Sequence, residues 1–473
     1  MDCMKTISAE LEKRRADYKA MADDIWEYAE SGFNEFRSAK RQADYLKKEG
    51  FRVTEGLAGE ATAFMAEFGS GKPVIAVLGE FDALVGLSQE ADTPVCTPAV
   101  PGGNGQGCGH NLLGTGSLAA AVAIKECMIS EGLKGTVRYY GCPAEENSGG
   151  KVYMIRAGLF DDCDIALSWH PWYINKVWDN GSLANYRVLF SFHGIASHAA
   201  GAPELGRSAL DAVELMDVGV NYMREHMIDE ARIHYAIVNS GGTAANVVQA
   251  EAEVFYAIRA PKVSQMMELY DRVCDCARGA ALMTQTKVDI HQVAAYCDFI
   301  TNDVIADKLA IHMDELLPMD YTDEELAYAS GFTNAISDIQ RGDLKEMARK
   351  IAGREAGRIL SAPMMNFRVK GGIGPCKIST DVGDVSWVVP TAQIYSAVWA
   401  PGTPMHSWQA VAQGKSSVAL KGMLNAAKIL AATACDFLAD PSLVEEARKE
   451  WLERLDGESY PDPLPEDARP GNW

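Results

Sequence analysis

Pro73 to Leu78 is an unbroken apolar run of strand length, the pattern of a strand buried on both faces. Gly135–Cys142 and Ile165–Trp169 read as further strands. Between the first two lies Asn111–Met128, whose apolar and small residues recur at three- and four-residue spacing and predict a helix. A second helix is expected to end near Arg156. Upstream, residues 5–49 predict two helices, the second from Ser38 to Glu49 and stopped by Gly50, and Val53–Phe68 alternates loosely as paired strands. Strand–helix–strand alternation of this kind predicts an α/β layer with a mixed, largely parallel sheet flanked by helices.

The pattern changes near Ser182. Asn185–His193 alternates as a strand, Leu205–Met227 is helical, Ile233–Asn239 and Asn246–Ile258 are strands, Lys262–Met283 is helical and Lys287–Tyr296 is a strand. That order is a ferredoxin-like α+β unit. Because α/β character resumes near Thr301, the unit reads as inserted. Tyr321–Lys370 is helical and polar, Gln393–Ala400 is a late strand, and Ser416–Leu438 is a helix rich in small residues. The expected organisation is a catalytic domain in two parts, 1–184 and 299–439, an inserted domain at 185–298, and a C-terminal surface extension at 440–473.

Composition narrows the function classes. A chain of 473 residues, 48% hydrophobic and 23% charged, has an ordinary globular make-up. Lys+Arg 44 against Asp+Glu 65 leaves a net charge of −21, which argues against nucleic acid or an anionic membrane as partner. The charged N-terminal stretch lacks the apolar segment of a signal peptide, and no run of 18 consecutive apolar residues suggests a membrane span. Eleven cysteines without framework spacing fit reduced thiols, so a cytoplasmic location is expected.

In α/β sheets the C-terminal ends of the strands carry the site. Asp82, Glu145, Glu146 and His170 fall just past such ends, and Cys108 and His110 stand two apart in a glycine-rich loop that opens a helix. A helix N-terminus lowers a thiol pKa and a metal lowers it further. Each piece has an ordinary reading: a buried small residue, a cap, an acidic pair on a helix dipole, a packed histidine. Their joint occurrence, with His406 added, spreads candidate ligands over about 300 residues, which suits an active site rather than a structural zinc. Five ligands exceed one tetrahedral ion and suit two divalent ions roughly 3.5–4 Å apart around a bridging group, a task open to a thiolate. Of two adjacent glutamates, one can bind metal while its neighbour takes a proton from a water held there and passes it to a leaving amine. That is amide hydrolysis. Cysteine and histidine favour zinc; the carboxylate also accommodates manganese.

Five motifs in order carry a family resemblance: Gly-Cys-Gly-His at 107–110, Pro-Ala-Glu-Glu at 143–146, Ser-Trp-His-Pro at 168–171, Gly-Ile-Ala-Ser-His-Ala at 194–199 and Pro-Met-His-Ser at 404–407. From about residue 5 to 437 the chain resembles the dinuclear metallo-amidohydrolases of the aminoacylase and glutamate carboxypeptidase kind. Within them it is most similar to the branch of auxin-conjugate hydrolases and p-aminobenzoyl-glutamate hydrolase subunits, the B-type ones above all. The resemblance implies that Cys108 bridges two metal ions, that His110, Glu146, His170 and His406 complete the ligands, and that Glu145 is the general base and acid. It implies a lid and dimerisation role for the inserted domain, with His198 reaching a partner's active site to polarise the scissile carbonyl. Asn246 and Arg259 match substrate-binding positions, where a guanidinium fork suits a carboxylate. Many relatives outside this branch carry His-x-Asp where this chain has Glu80-Phe81-Asp82, so Asp82 is not expected to be a ligand. The implied activity is cleavage of an N-acyl or N-aroyl amino acid, p-aminobenzoyl-glutamate first and a dipeptide or N-acyl amino acid next. The implied state is a homodimer, or a pairing with a homologous second subunit. The rival reading is a non-catalytic binding subunit.

Overall fold

The structure is a computed structural model and describes residues 3–353, 356–370 and 378–471. Along the chain run helices α1 (Cys3–Lys13), α2 (Arg15–Tyr28) and α3 (Phe36–Lys48), then strands β1 (Arg52–Glu55), β2 (Phe64–Ser70) and β3 (Val74–Glu80). Helix α4 (His110–Glu131), strand β4 (Gly135–Cys142), helix α5 (Gly150–Arg156) and strands β5 (Ile165–Trp172) and β6 (Lys176–Val177) follow. Next come β7 (Ala184–His193), α6 (Ala209–Met223), β8 (Arg232–Asn239), β9 (Glu251–Ala260), α7 (Val263–Thr284) and β10 (Lys287–Tyr296). The last part holds α8 (Asp303–Leu316), α9 (Asp323–Ala335), α10 (Asp338–Ala352), α11 (Ala356–Ser361), α12 (Val382–Val388), β11 (Thr391–Ala397), α13 (Trp408–Gln413), α14 (Ser417–Ala439) and α15 (Pro441–Leu455).

Contacts divide the chain into two units. The first takes the chain up to Gly181 and most of the chain from Ile300 to Tyr460. Its seven-stranded sheet has the order β1-β2-β4-β3-β5-β11-β6. The central neighbours β4, β3, β5 and β11 are parallel, and the flanking pairs are antiparallel. Every residue of β3 is buried, which explains its continuous apolar run. Helices α4 and α14 pack together in the core, and a glycine on each lets it approach the end of a strand closely. A Cβ on Gly114 would lie 2.5 Å from the Glu80 carbonyl oxygen, and one on Gly422 would lie 2.2 Å from that of Ala397. By length and composition both helices could cross a membrane, but 89% of each apolar window is buried inside the protein, the signature of core helices.

The second unit is built on Ser182–Phe299, with two short additions from later in the chain. Its sheet is wholly antiparallel in the order β10-β7-β9-β8, with α6 and α7 as the two crossovers, a ferredoxin-like arrangement.

Several expectations are corrected. Residues 5–49 hold three helices, because the run breaks at Arg14, whose backbone leaves helical geometry at φ −103° and ψ 8°. Strand β5 continues to Trp172, so His170 lies within it, opposite Tyr395 of β11. The strand expected from Asn246 begins at Glu251, which leaves Asn246 in a loop. The helix expected at 205–227 is confined to 209–223, with single 3-10 turns on either side. The polar stretch 321–370 is three helices, with residues 354–355 outside the described residues. The supposed surface extension from Asp440 opens with helix α15, which packs on α8 and α14; residues 472–473 lie outside the described residues.

Candidate metal centre

The parallel strands deliver their C-terminal ends to one edge of the first unit's sheet. Glu80 ends β3, Glu145 and Glu146 follow β4, His170 lies near the end of β5, and His406 follows β11. Helix α4 opens at His110 on the same edge, directly after Cys108. The preceding Gly109 has φ 75°, a conformation that favours glycine. Ala144, at φ 58°, turns the chain sharply ahead of the two glutamates. His406 itself has φ 55°, and its N–H donates to the Gly107 carbonyl at 2.9 Å, which ties the last loop to the first.

Two groups of donors meet at Cys108. Its Sγ lies with a ring nitrogen each of His110 and His170, all within 4.8 Å of one another. It also lies with a Glu146 oxygen and a His406 nitrogen within the same limit. The Sγ is 3.3 Å from His170 Nε2, and His406 Nε2 is 3.3 Å from Glu146 Oε2. A third group joins Glu80, His110 and Glu145, which brings both glutamates of the pair to this place. Each group could hold a cation, and the shared sulfur would lie between the first two.

Neighbouring groups orient the rings. His110 Nδ1–H donates to Asp82 Oδ1 at 2.8 Å, and the other Asp82 oxygen accepts the Glu146 N–H at 2.9 Å. Asp82 thus aligns two donors without being one, in the manner of carboxylates behind metal-binding histidines. His110 Nε2 is buried, makes no hydrogen bond and lies 3.3 Å from Glu80 Oε2. An orphaned imidazole nitrogen among a thiol and carboxylates is a donor set suited to a divalent ion. His170 Nδ1–H donates to the Pro171 carbonyl at 2.8 Å, which leaves Nε2 as the lone-pair atom facing the sulfur.

The charge balance fits a cation. Burial, and then the neighbouring His110, push His170 down to about 4, so its imidazole is neutral. Burial alone would raise Glu146, but His406 and His110 hold its carboxyl at about 2. Burial, then the charges of Glu146 and Glu145, push the Cys108 thiol well above the usual thiol range, against the lowering expected of a helix terminus. A thiolate here requires a nearby positive charge.

The sequence pattern does not point to three further buried groups. Lys151 Nζ, fully buried, pairs with Glu80 Oε1 at 2.6 Å. Burial opposes ionisation of Glu80, yet Lys151 and His110 hold it below the usual carboxylate range. Glu35 accepts the Ala144 N–H at 2.8 Å and the Thr62 hydroxyl at 3.0 Å, which pins the turn that carries both glutamates. The position of Glu80 at the end of an all-apolar strand was the available signal; nothing local marked Lys151 or Glu35. His198, Asn246 and Arg259 lie in the second unit. There the Ala199 N–H donates to the Asn246 carbonyl at 3.0 Å, and His198 bridges to Val247. Arg259 is on β9, and burial together with nearby Arg187 lowers its pKa.

Comparison with known proteins shows the family. Residues 76–301 match the family described as Peptidase family M20/M25/M40. The chain is 44% identical over 468 residues to the B-type subunit of the p-aminobenzoyl-glutamate hydrolase of Escherichia coli, covering 97% of each chain. It is 28% identical to the Xaa-Arg dipeptidase of Mus musculus over 95% of both. The fold is shared with the YXEP protein of Bacillus subtilis, described as a dinuclear metal binding peptidase from M20 family. That match has 16% identity, a TM-score of 0.51, and coverage of 89% of this chain and 99% of that one. The chain belongs to peptidase family M20/M25/M40 and is a metallo-hydrolase.

Proposed function

We propose that this protein hydrolyses the amide bond between an aroyl or acyl group and an amino acid, with p-aminobenzoyl-glutamate as the leading substrate. The single observation that carries the reading is the pair of donor groups sharing Cys108, with both glutamates at the same sheet edge. The substrate choice rests on the 44% identity to a hydrolase component named for that compound. Cys108, as the bridging ligand, with His110, Glu146, His170 and His406 would hold two divalent ions, zinc or manganese. When bound, these would polarise the scissile carbonyl and acidify a water molecule. Glu145 takes the proton of the attacking water and returns it to the departing amine nitrogen. Asp82 keeps His110 in the tautomer that presents Nε2.

The second unit would act as a lid. In it His198 would reach a partner's active site to polarise the scissile carbonyl, Asn246 would bind substrate and Arg259 would grip a carboxylate. The same unit supports association: β8 is an edge strand with Tyr235, Ile237 and Val238 exposed, a surface open to a second copy or to a homologous subunit. The described cysteines are free thiols, which supports a reducing compartment such as the cytoplasm. The likeness to an Xaa-Arg dipeptidase supports a dipeptide or N-acyl amino acid as the next substrate.

The test is a metal-replete preparation assayed for release of free amino acid from p-aminobenzoyl-glutamate, N-acyl amino acids and dipeptides. Glu145→Ala is expected to reduce kcat by about 10²–10⁴-fold while metal content stays unchanged. Full metal occupancy without hydrolysis of any of these compounds, alone or with a homologous subunit, would overturn the catalytic reading in favour of a non-catalytic binding role. An unaltered rate in Glu145→Ala would remove Glu145 from its role.

A further inference from the structure

Apart from the active-site thiol, three other cysteines meet in the first unit. Cys3 opens α1, Cys127 lies in the last two turns of α4, and Cys435 is near the end of α14. Their Sγ atoms all lie within 4.8 Å of one another. Cys127 is fully buried and Cys435 is 2% exposed, while Cys3 is only partly covered and gives the cluster one open side. The thiols use their polarity rather than merely filling space. Cys127 Sγ lies 3.5 Å from the Cys3 carbonyl oxygen, to which its S–H donates. A disulfide would use two of the three sulfurs; a metal would use all of them.

We propose that Cys3, Cys127 and Cys435 form a second metal site, which takes a soft, thiophilic cation in three-coordinate thiolate geometry. Monovalent copper matches best. Thiolates select soft ions, and a structural zinc site wants a fourth ligand, whereas the donor group among the described residues has three. On binding, each ligating thiol gives up its proton to solvent, and no electron changes hands. The ion would bind α1 to the two core helices α4 and α14, against which α1 already packs.

The probe is copper(I), supplied anaerobically to the full chain under competition from a copper(I) chelator. Because Cys108 is also a thiol, the titration is run in a Cys108→Ser background. The expected result is one copper(I) retained per chain, with the ultraviolet charge-transfer band of a copper–thiolate centre. Cys3→Ser should weaken retention at least tenfold, and Cys435→Ser should do the same. Cys3 is the more tolerant position because it is partly exposed, and circular dichroism checks that each variant folds. Thermal unfolding should shift upward with copper(I) in the Cys108→Ser protein and not in the Cys3→Ser, Cys108→Ser protein. Copper(I) retained equally by the Cys3→Ser variant would overturn the proposal. So would no retention by the folded Cys108→Ser protein, or zinc preferred over copper(I) there. Loss of two thiols to a disulfide on mild peroxide treatment, without copper binding, would replace the site with a redox pair.

Discussion

Gly109 shows how much of the centre rests on single backbone positions. It sits between Cys108 and His110 at φ 75°, and a Cβ there would come within 2.9 Å of Pro171 Cβ and 3.0 Å of Trp399 Cζ2. Gly109→Ala is expected to cost about 1–3 kcal/mol of stability through backbone strain and overpacking, and to weaken metal retention by moving both donors. Denaturant unfolding and metal analysis check it; a variant with wild-type stability and metal content would show that the loop can relax. At this scale the sequence was informative wherever chemistry shows in residue type. Cys-x-His, Glu-Glu and the two distant histidines could be read as candidates from composition and position. Lys151 and Glu35 could not, since a lysine or glutamate in a helix or turn is ordinarily solvated. Their burial depends on partners 71 and 109 positions away in the chain. The state of the Cys108 thiol is illegible for a related reason: the helix terminus is visible in sequence, whereas the burial and the two carboxylates that outweigh it are not.

At the scale of elements, α8 depends on what packs around it. His312 on α8 reaches Asp436 of α14 at 2.9 Å and Glu315 at 3.1 Å. Burial opposes its protonation, but these two carboxylates raise its pKa above the usual histidine value. A raised folded-state pKa stabilises fully below the unfolded value of about 6.5, and that stabilisation is lost as pH climbs through the folded value. His312→Gln should therefore narrow the stability difference between pH 6 and pH 9, by about 1 kcal/mol, with its main deficit on the acid side. Urea unfolding across that range decides it, and an unchanged pH profile would exclude the pair as a contributor. Glu450 of α15 accepts the backbone N–H groups of Asp303 and Val304, at 2.9 and 3.0 Å, at the start of α8. Glu450→Ala is expected to cost about 1–2 kcal/mol in the same assay, the range of a lost helix cap; a change within error would show that Asn302, which caps Ile305, suffices alone. Strands β3, β4, β7 and β10 were legible from hydrophobic pattern. Helix α15 was not, although Asp440 and Pro441 are ordinary start signals, because the prolines beyond it read as an extended tail. Trp451, which donates to the Ser386 carbonyl at 2.8 Å, is one of the tertiary contacts that hold it.

For the whole molecule, association through β8 is the consequence most open to test. Ile237 is 45% exposed on that edge strand, and a charge there would be buried by any strand-to-strand pairing. Ile237→Lys is expected to lower the assembly state seen by analytical ultracentrifugation with the fold intact. An unchanged sedimentation profile would place the contact elsewhere or leave the chain a monomer. Pattern and order along the chain determined the α/β layer, the ferredoxin-like unit and the identity of the candidate donors, because burial imposes periods of two and 3.6 that survive in one dimension. Only the tertiary structure decided that Cys108 stands between two donor groups, that one Asp82 carboxylate reaches both the His110 ring and the Glu146 backbone, and that Cys3, Cys127 and Cys435 meet. Those outcomes depend on which strands are neighbours and how far each runs. Hydrophobic pattern constrains such choices weakly, whereas hydrogen bonding between segments hundreds of residues apart fixes them.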